Sequence, residues 1–402
     1  MDTLGAPETC PFDFSEGLDF DPVLRRLMTD TPVSRIRMSY GEGEAWLVTR
    51  YEDVRVVTTD RRFSRSAVAG RDFPRMTPEP IVQSESLNLM DPPASSRVRS
   101  VVSQAFTKSR VDAMRPATQR IVDGLLDDMT AAGAPADFVH HVSSKLPLTT
   151  ICEVLDVPEA DRAELRRRVV TMASTDRARQ EDAVRAKAEL RAYFADLTAE
   201  RRRRPGEDLV SVLATARDDD GERLDAHELT VMAMVLLMTG HDTSTYQLGN
   251  IVYTLLTHPA ELAKVRAEPE RWPDALEELL RYIPFRKGVG IPRVATEDVE
   301  VGGVLIRAGD VVHVSYLAAN RDPAKFDGAD TLDVGRSATG HMTFGWGSHH
   351  CIGSPLAVME LQAAIGTLLS RFPGLRLAVP AQEVRWNTES IWRYPLELPL
   401  AW

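Results

Sequence analysis

The 402-residue sequence is short of cysteine, with three, and short of basic charge: 48 lysines and arginines stand against 59 aspartates and glutamates, a formal net charge of −11. Three cysteines far apart, Cys10, Cys152 and Cys351, offer no disulfide framework and predict an intracellular protein. An acidic chain lacks the basic surface that draws a protein to phosphates, so nucleic acid is not an expected partner. Long apolar runs are missing too. The most apolar run, Val231 to Met238, is too short to span a bilayer and gives way to Thr-Gly-His-Asp. The N-terminal MDTLGAPETCPFDFSEG has neither a basic start nor an apolar stretch, so no leader and no membrane anchor are expected there. No fixed-period repeat or low-complexity linker interrupts the chain. A cytoplasmic protein without membrane attachment is the expectation.

What is present suits a large globular core: 43% hydrophobic and 27% charged residues. The length alone allows two or three domains or one large one. Connections such as Arg217 to Gly221 read as turns, not boundaries, which predicts a single domain over 1–402. Strand-like pieces lie at Ala45–Arg50, Val299–Ile306 and Val311–Ser315. Apolar residues recur at helical spacing over Ile121–Ala131, Val139–Val154, Ala183–Arg203 and Gly353–Arg371. The expected fold class is mainly α with small β-sheets. The β-rich margins fall near 30–65 and 290–315, and the helical core over 95–285 and 353–371.

One helix stands apart. Asp225 followed by Glu228 is a capping signal, and the helical pattern then runs to about Thr257, roughly 48 Å at 1.5 Å per residue. It is apolar nearly all round from Leu229 to Met238, which predicts passage through the core. Its middle nevertheless reads TGHDTST, Thr239 to Thr245, with polar groups that need partners and a helix-weakening Gly240. Either the helix surfaces midway or it faces a cavity in which chemistry occurs.

The stretch FGWGSHHCIGSP, Phe344 to Pro355, sets a lone thiol among glycines just before a helix. Zinc is a poor fit, because the side chains of adjacent His349, His350 and Cys351 diverge and no second ligand pair follows. A nucleophilic cysteine fits better, since helix N-terminal amides favour thiolate over thiol. A haem ligand also fits, because Gly345, Gly347 and Gly353 let backbone pass close to a flat porphyrin, and amides aimed at sulfur tune its donation. A small structural residue in a turn is the fourth reading of Cys351.

FGWGSHHCIGSPLA matches the haem-binding signature of the cytochrome P450 family, F-G-x-G-x-H-x-C-x-G-x-x-L-A, at every fixed position. The resemblance implies the cytochrome P450 fold, haem b (iron protoporphyrin IX) between the long central helix and the cysteine-bearing loop, and Cys351 as axial ligand of the haem iron. Four further segments resemble the family in the right order. E-L-L-R, Glu278 to Arg281, is similar to its E-x-x-R, which implies a structural network of Glu278, Arg281 and Arg336. T-G-H-D-T-S resembles its oxygen-activation motif, which makes Asp242 the acid and Thr243 the alcohol of proton delivery from a locally opened helix. Thr239 stands where alanine or glycine is usual, and its extra bulk and hydroxyl are expected to narrow the distal pocket or meet substrate. M-D-P-P-A-S-S-R-V-R, Met90 to Arg99, is similar to a third segment, with Ser95 replacing a propionate-binding histidine. Ile291 to Gly309 resembles the strand pair after E-x-x-R. Haem contacts are thereby implied for Arg99, Arg293, His349, Cys351 and Gly353.

The resemblance implies a haem-thiolate monooxygenase of the soluble bacterial, natural-product type. No flavin or iron–sulfur signature follows the haem segment, which implies O2 as co-substrate and a separate ferredoxin and ferredoxin reductase as electron donors. Arg97, Arg99, Lys108 and Arg110 are the basic residues placed to meet an acidic donor. Substrate contacts are expected from the loop Ala67–Leu89 including Leu89, from Val235, Met238 and Thr239, from the turn Arg286–Ile291 including Val289, and from Ile391 beside Trp392. Most are small or apolar, so the expected substrate is a compact, largely hydrophobic polyketide, macrolide or cyclic dipeptide. Arg286 and Lys287 meet either a carbonyl or carboxylate of it, or solvent. Oxidative coupling of aromatic groups is the alternative outcome of the same oxidant. A non-oxygenase haem protein would not need the Asp242–Thr243 pair, a peroxygenase usually replaces that alcohol, and a cysteine hydrolase would be colourless.

Overall fold

A computed structural model describes residues 7–10, 17–77, 86–172, 177–217 and 221–402. Most of the N-terminal stretch read above, part of the turn after Arg217, and residues 78–85 of the expected substrate loop lie outside the described residues.

The central helix spans Ala226–Thr257, with Asp225 as its N-cap. The cap is reciprocal: the Glu228 amide donates to Asp225 Oδ1 at 2.7 Å and the Asp225 amide to Glu228 Oε2 at 2.9 Å. At the far end Pro259 opens the next helix, because its ring cannot continue the first. Helices Gln180–Arg203, Leu146–Val154 and Ser354–Arg371 pack against the central one, which explains its near-complete apolar character. Helical assignment continues without interruption through Thr239–Thr245, so the expected local opening is not present. Gly240 has a packing reason: a Cβ there would stand 2.9 Å from Ile151 Cγ1.

Two expected elements differ. Val139–Val154 is not one α-helix but a π-helical turn, Val139–Ser143, followed by an α-helix from Leu146. Pro147 falls in the first turn of that helix, where its missing N–H costs no helical hydrogen bond, and so favours a restart there. Val299–Ile306 is a hairpin of two three-residue strands, turned by Gly302 and Gly303 at φ of +56° and +79°. The pattern at Ile121–Ala131 marks the C-terminal half of a longer helix, Lys108–Ala132.

The largest sheet has six strands, in the order Glu8–Cys10, Val33–Met38, Ala45–Val48, Val311–Val314, Arg293–Ala295 and Phe63–Ser64. Its register matters for function. Ser64 pairs antiparallel with Val294 and Phe63 with Ala295, so the next step along the strands sets Arg65 beside Arg293. A second, three-stranded sheet joins Ala136–Asp137, Pro399–Ala401 and Arg376–Leu377, outside the expected margins. Among the described residues no helix is long and apolar enough to cross a membrane.

Candidate active site

A cavity enclosing about 1790 Å³, open solvent at its mouth included, lies between the central helix and the loop that ends at Cys351. Cys10 and Cys152 are buried elsewhere, and burial pushes the Cys152 thiol up to about 11; Cys351 alone of the three lies on the cavity wall.

The cysteine loop is held by its own backbone. The Cys351 amide donates to Phe344 O at 2.8 Å and the Gly345 amide to Met342 O at 2.9 Å. Gly347, at φ +70°, is required by space, because a Cβ would fall 2.6 Å from the Thr58 carbonyl oxygen. Gly353 is under no such constraint: a Cβ would stand 3.9 Å from Cys351 Sγ, ordinary contact. What Gly353 contributes is its amide. Burial pushes the Cys351 thiol up, while the Gly353 and Ser354 amides and Arg99 pull it back. Those are groups that stabilise a thiolate once a cation faces it.

Beneath the loop lies the Glu278–Arg281 pair, both side chains wholly buried. Arg281 Nε donates to Glu278 Oε2 at 2.7 Å and Nη2 to Oε1 at 2.8 Å. Arg336 Nε adds a third bond to Glu278 at 3.3 Å, and the Asp333 amide a fourth at 3.1 Å. Arg281 Nη1 donates in turn to Asn320 O at 2.7 Å. Asn320 Oδ1 accepts from the Met342 amide at 2.6 Å and its Nδ2 donates to Thr343 Oγ1 at 2.9 Å, next to the start of the cysteine loop. The ion pair thus fixes the scaffold from which the thiol projects.

At one edge of the cavity cations converge. Arg293 is 1% exposed, yet Nη1 and Nη2 have no hydrogen-bond partner; Arg65 Nε and Tyr316 Oη beside it are also unpartnered. Burial, with the like charge of Arg293, brings Arg65 down to about 9. Against the upward push of burial, Arg293 and Arg65 hold the Tyr316 hydroxyl below its ordinary value. Burial first, then Arg65 and Arg293, bring His349 down to about 3, so it is neutral at pH 7. Arg99, half-buried on the same wall, bonds the His350 carbonyl. Arg65 and Tyr316 escaped the sequence reading, since nothing local to FSRS sets Arg65 apart; only the sheet register does.

The wall contributed by the central helix follows its period. Val235, Thr239, Thr243 and Gln247 lie four residues apart on it, flanked by Leu236 and Gly240. Met238 and Asp242 occupy the neighbouring stripe and are not on the wall. Met238 packs into the adjacent apolar cluster. Asp242, 6% exposed, sits 2.9 Å from His241 Nδ1 and faces Tyr246, which burial, Asp242 and the stacked Tyr394 raise far above its usual range. Thr243 Oγ1 donates to Thr239 O at 3.0 Å, and Thr239 Oγ1 to Val235 O at 2.8 Å, so each hydroxyl hydrogen is held by the helix while its oxygen lone pairs stay available. Gln247, 4% exposed, has no partner for either amide atom. Glu360, 2% exposed, is pushed up to about 8 by burial, with Thr150 and Ser244 pulling the other way. Neither had a motif to reveal it.

The remaining expected contacts divide between two cavities. Val289 lines the large one and a smaller neighbour of about 530 Å³; Leu89 and Ile391 line only the smaller. Arg286 belongs to both walls and is half-buried, not solvent-facing. Lys287 Nζ is taken up by Thr388 O at 2.7 Å.

A family profile described as Cytochrome P450 matches residues 167–272 and 273–388. Nocardicin C N-oxygenase of Nocardia uniformis subsp. tsuyamanensis is 47% identical over 393 residues, 98% of either chain. Mycinamicin IV hydroxylase/epoxidase of Micromonospora griseorubida is 44% identical over 400 residues, the whole of both chains. A crystal structure described as cytochrome P450mel 107F1 with biaryl coupling reactivity is similar at a TM-score of 0.96 and 69% identity, covering 99% of this chain and 100% of that one.

The residues present fit haem b, the cofactor of that family. The Cys351 thiol and Arg65 stand on the cavity wall, and behind Arg65 the orphaned buried N–H donors of Arg293, off the wall itself, suit anions such as carboxylates. With cofactor chemistry, fold and relatives in agreement, the chain belongs to the cytochrome P450 family, as an oxidoreductase of the monooxygenase class.

Proposed function

We propose that this enzyme couples two aromatic rings of a compact natural product, using O2 and electrons from a separate ferredoxin and ferredoxin reductase. The observation that carries the reading is the 69% identity, over 99% of this chain, to a P450 described as having biaryl coupling reactivity. The cavity supports it. Phe106, Phe285, Phe344 and Trp392 lie on its wall, rings against which aromatic groups can pack. For carbon–carbon coupling the balance is simple: two aryl hydrogens leave, one bond forms, and O2 with two electrons and two protons becomes two waters.

Haem b bound here supplies the activation of dioxygen, with thiolate ligation favouring O–O cleavage. Cys351 would hold the iron, and Arg65, Arg99, Arg293 and His349 the propionates. We assign Thr243 to proton positioning, its oxygen facing the cavity while its hydrogen rests on Thr239 O. Asp242 lies on the neighbouring stripe, off the wall, so a proton relayed by way of it would reach the cavity past Thr243, through a side-chain turn or water. Glu360, protonated at neutral pH and on the wall itself, is a second proton holder. Trp392 and Phe285, stacked at 5.5 Å and 10°, offer a flat apolar bed that orients a ring and excludes water. Exposed Lys108 and Arg110 remain available to an acidic electron donor, whereas Arg97 is paired with Glu228. We read the whole chain as one haem-bearing domain working in the cytoplasm.

Oxygen insertion into a macrolide, polyketide or cyclic dipeptide is the second reading, favoured by the 44% identical mycinamicin IV hydroxylase/epoxidase. Turnover of the holoenzyme with a reduced ferredoxin system and a panel of phenols and macrolides separates the two by product mass. A product of twice the substrate mass less two hydrogens supports coupling. Products bearing only one added oxygen contradict it.

A further inference from the structure

Asp242 is a buried carboxylate cut off from an obvious supply of protons. It is 6% exposed, lies off the cavity wall, and among the described residues no lysine or arginine pairs with it. Its Oδ1 is 2.9 Å from His241 Nδ1 but outside hydrogen-bonding geometry, and has no other partner. One turn further along the central helix, on the same stripe, stands Tyr246, also buried. Its ring lies flat on that of Tyr394, with centroids 4.0 Å apart and planes at 13°. Tyr394 is only half-buried, and exposed Arg166, from the helix Glu159–Met172, acts on its hydroxyl together with Asn387.

The sequence fastens this stack from both sides. Asn250, wholly buried and one turn beyond Tyr246, donates from Nδ2 to Arg393 O at 2.8 Å. Gly249 lets the C-terminal turn lie on the helix, because a Cβ there would stand 3.1 Å from Pro395 Cγ. The Asn387 amide donates to Tyr394 O at 2.9 Å and closes the turn. Burial first, then Asp242 and Tyr394, keep the Tyr246 hydroxyl protonated far above its usual range. A phenol so held does not ionise. It can still pass a proton on, provided it gains one as it loses one.

We propose that Tyr394 and Tyr246 form the proton inlet from solvent to Asp242, and through it to Thr243 on the cavity wall. This rests on the assignment of Thr243 to proton positioning. For each proton moved, the Tyr246 O–H bond breaks as one forms on Asp242. Tyr246 takes the Tyr394 proton, and Tyr394 takes one from a hydronium at the surface. As many O–H bonds form as break, no electron moves, and neither ring is left as phenolate; rotation of the hydroxyls resets the chain. Neither tyrosine lies on the cavity wall, so both are positioning residues for protons and not catalytic ones.

The test measures O2 consumption by holoenzyme in H2O and in D2O, driven by NAD(P)H through a ferredoxin system with 1-naphthol as probe. Tyr246→Phe keeps the ring and loses the hydroxyl. It should slow consumption several-fold and enlarge the H2O/D2O rate ratio, because proton arrival becomes limiting; a merely structural role would leave the ratio alone. Tyr394→Phe should act in the same way more weakly, since water can replace a half-exposed hydroxyl. The double variant should be no slower than Tyr246→Phe, as for links in series. A second readout is independent of turnover. In the carbon monoxide complex, isotope-labelled at tyrosine Cζ for NMR, the signal missing from Tyr246→Phe should shift in both Asp242→Asn and Tyr394→Phe. If Tyr246→Phe does not fold, the rate ratio of Tyr394→Phe decides. A wild-type ratio in every folded variant, single effects that multiply in the double variant, an enlarged ratio in Glu360→Gln alone, or a Tyr246 signal indifferent to Asp242→Asn overturns the proposal. Thr243→Ala keeps the two readings apart: wild-type coupling there, beside an enlarged ratio in Tyr246→Phe, sinks the Thr243 assignment and leaves the inlet to Asp242 standing.

Discussion

Replacing Arg293 by methionine should loosen haem while easing the haem-free protein, two effects of opposite sign from one side chain. Arg293 is 1% exposed, and both its terminal nitrogens lack partners. In the haem-free cavity it repels Arg65, which burial and Arg293 together have brought from 12.5 to about 9. At about 1.36 kcal/mol per decade that displacement corresponds to roughly 5 kcal/mol of unfavourable charge burial, of which the Arg293 contribution is the smaller part. Removing Arg293 relieves that part. In the loaded enzyme the same guanidinium meets a propionate, and a hydrogen bond to a charged group contributes about 1.5–3 kcal/mol. Haem loss should therefore quicken roughly ten- to a hundredfold. The assay is transfer of haem to an excess of apomyoglobin, with Arg110→Met, an exposed change, as control. Arg65→Met should act in the same direction, and the double variant should lose less than the two single effects combined, because each single change already removes the whole Arg65–Arg293 repulsion. Haem loss at the wild-type rate in Arg293→Met would refute the assignment of this edge to the propionates.

Three further outcomes follow from the geometry. Thr243→Ala should keep the haem spectrum and divert reducing equivalents to peroxide; unchanged coupling of NAD(P)H use to product would sink its proton-positioning role. Glu278→Gln leaves Arg281 buried without its anion, and should cost about 3–5 kcal/mol in denaturant unfolding together with much of the haem content. Glu360 bears on pH. Its folded value of about 8 lies above the ordinary 4.5, so the native state keeps a proton that the unfolded chain releases. Its contribution to stability is therefore fully present below pH 4.5, falls as pH rises towards 8, and is lost above, by at most about 5 kcal/mol. Glu360→Gln should flatten that part of the holoenzyme's unfolding midpoint between pH 5.5 and 8.5; an unchanged slope would mean the carboxyl is already ionised.

Local spacing made much of this legible. The Asp225–Glu228 cap, the Glu278–Arg281 pair and the Phe344–Pro355 loop each act within a few residues, so their sequence carries their geometry. The break before Leu146 was also written in Pro147, though the apolar pattern around it concealed the restart. What was not legible comes from register and rotation. Arg65 reaches Arg293 only because Ser64 pairs with Val294, and Glu360 meets Ser244 only because two helices cross. Met238 and Asp242 turn off the wall because about 100° per residue carries them past the stripe through Val235, Thr239 and Thr243.

The central claim, that Cys351 binds haem iron as a thiolate, is tested most directly by the ferrous–CO difference spectrum of the purified holoenzyme. The account predicts the strongly red-shifted Soret band of thiolate-ligated haem, lost in Cys351→His. A Soret band at the shorter wavelength typical of histidine or neutral-thiol ligation in the wild type, or no Soret band after haem supplementation, would contradict it.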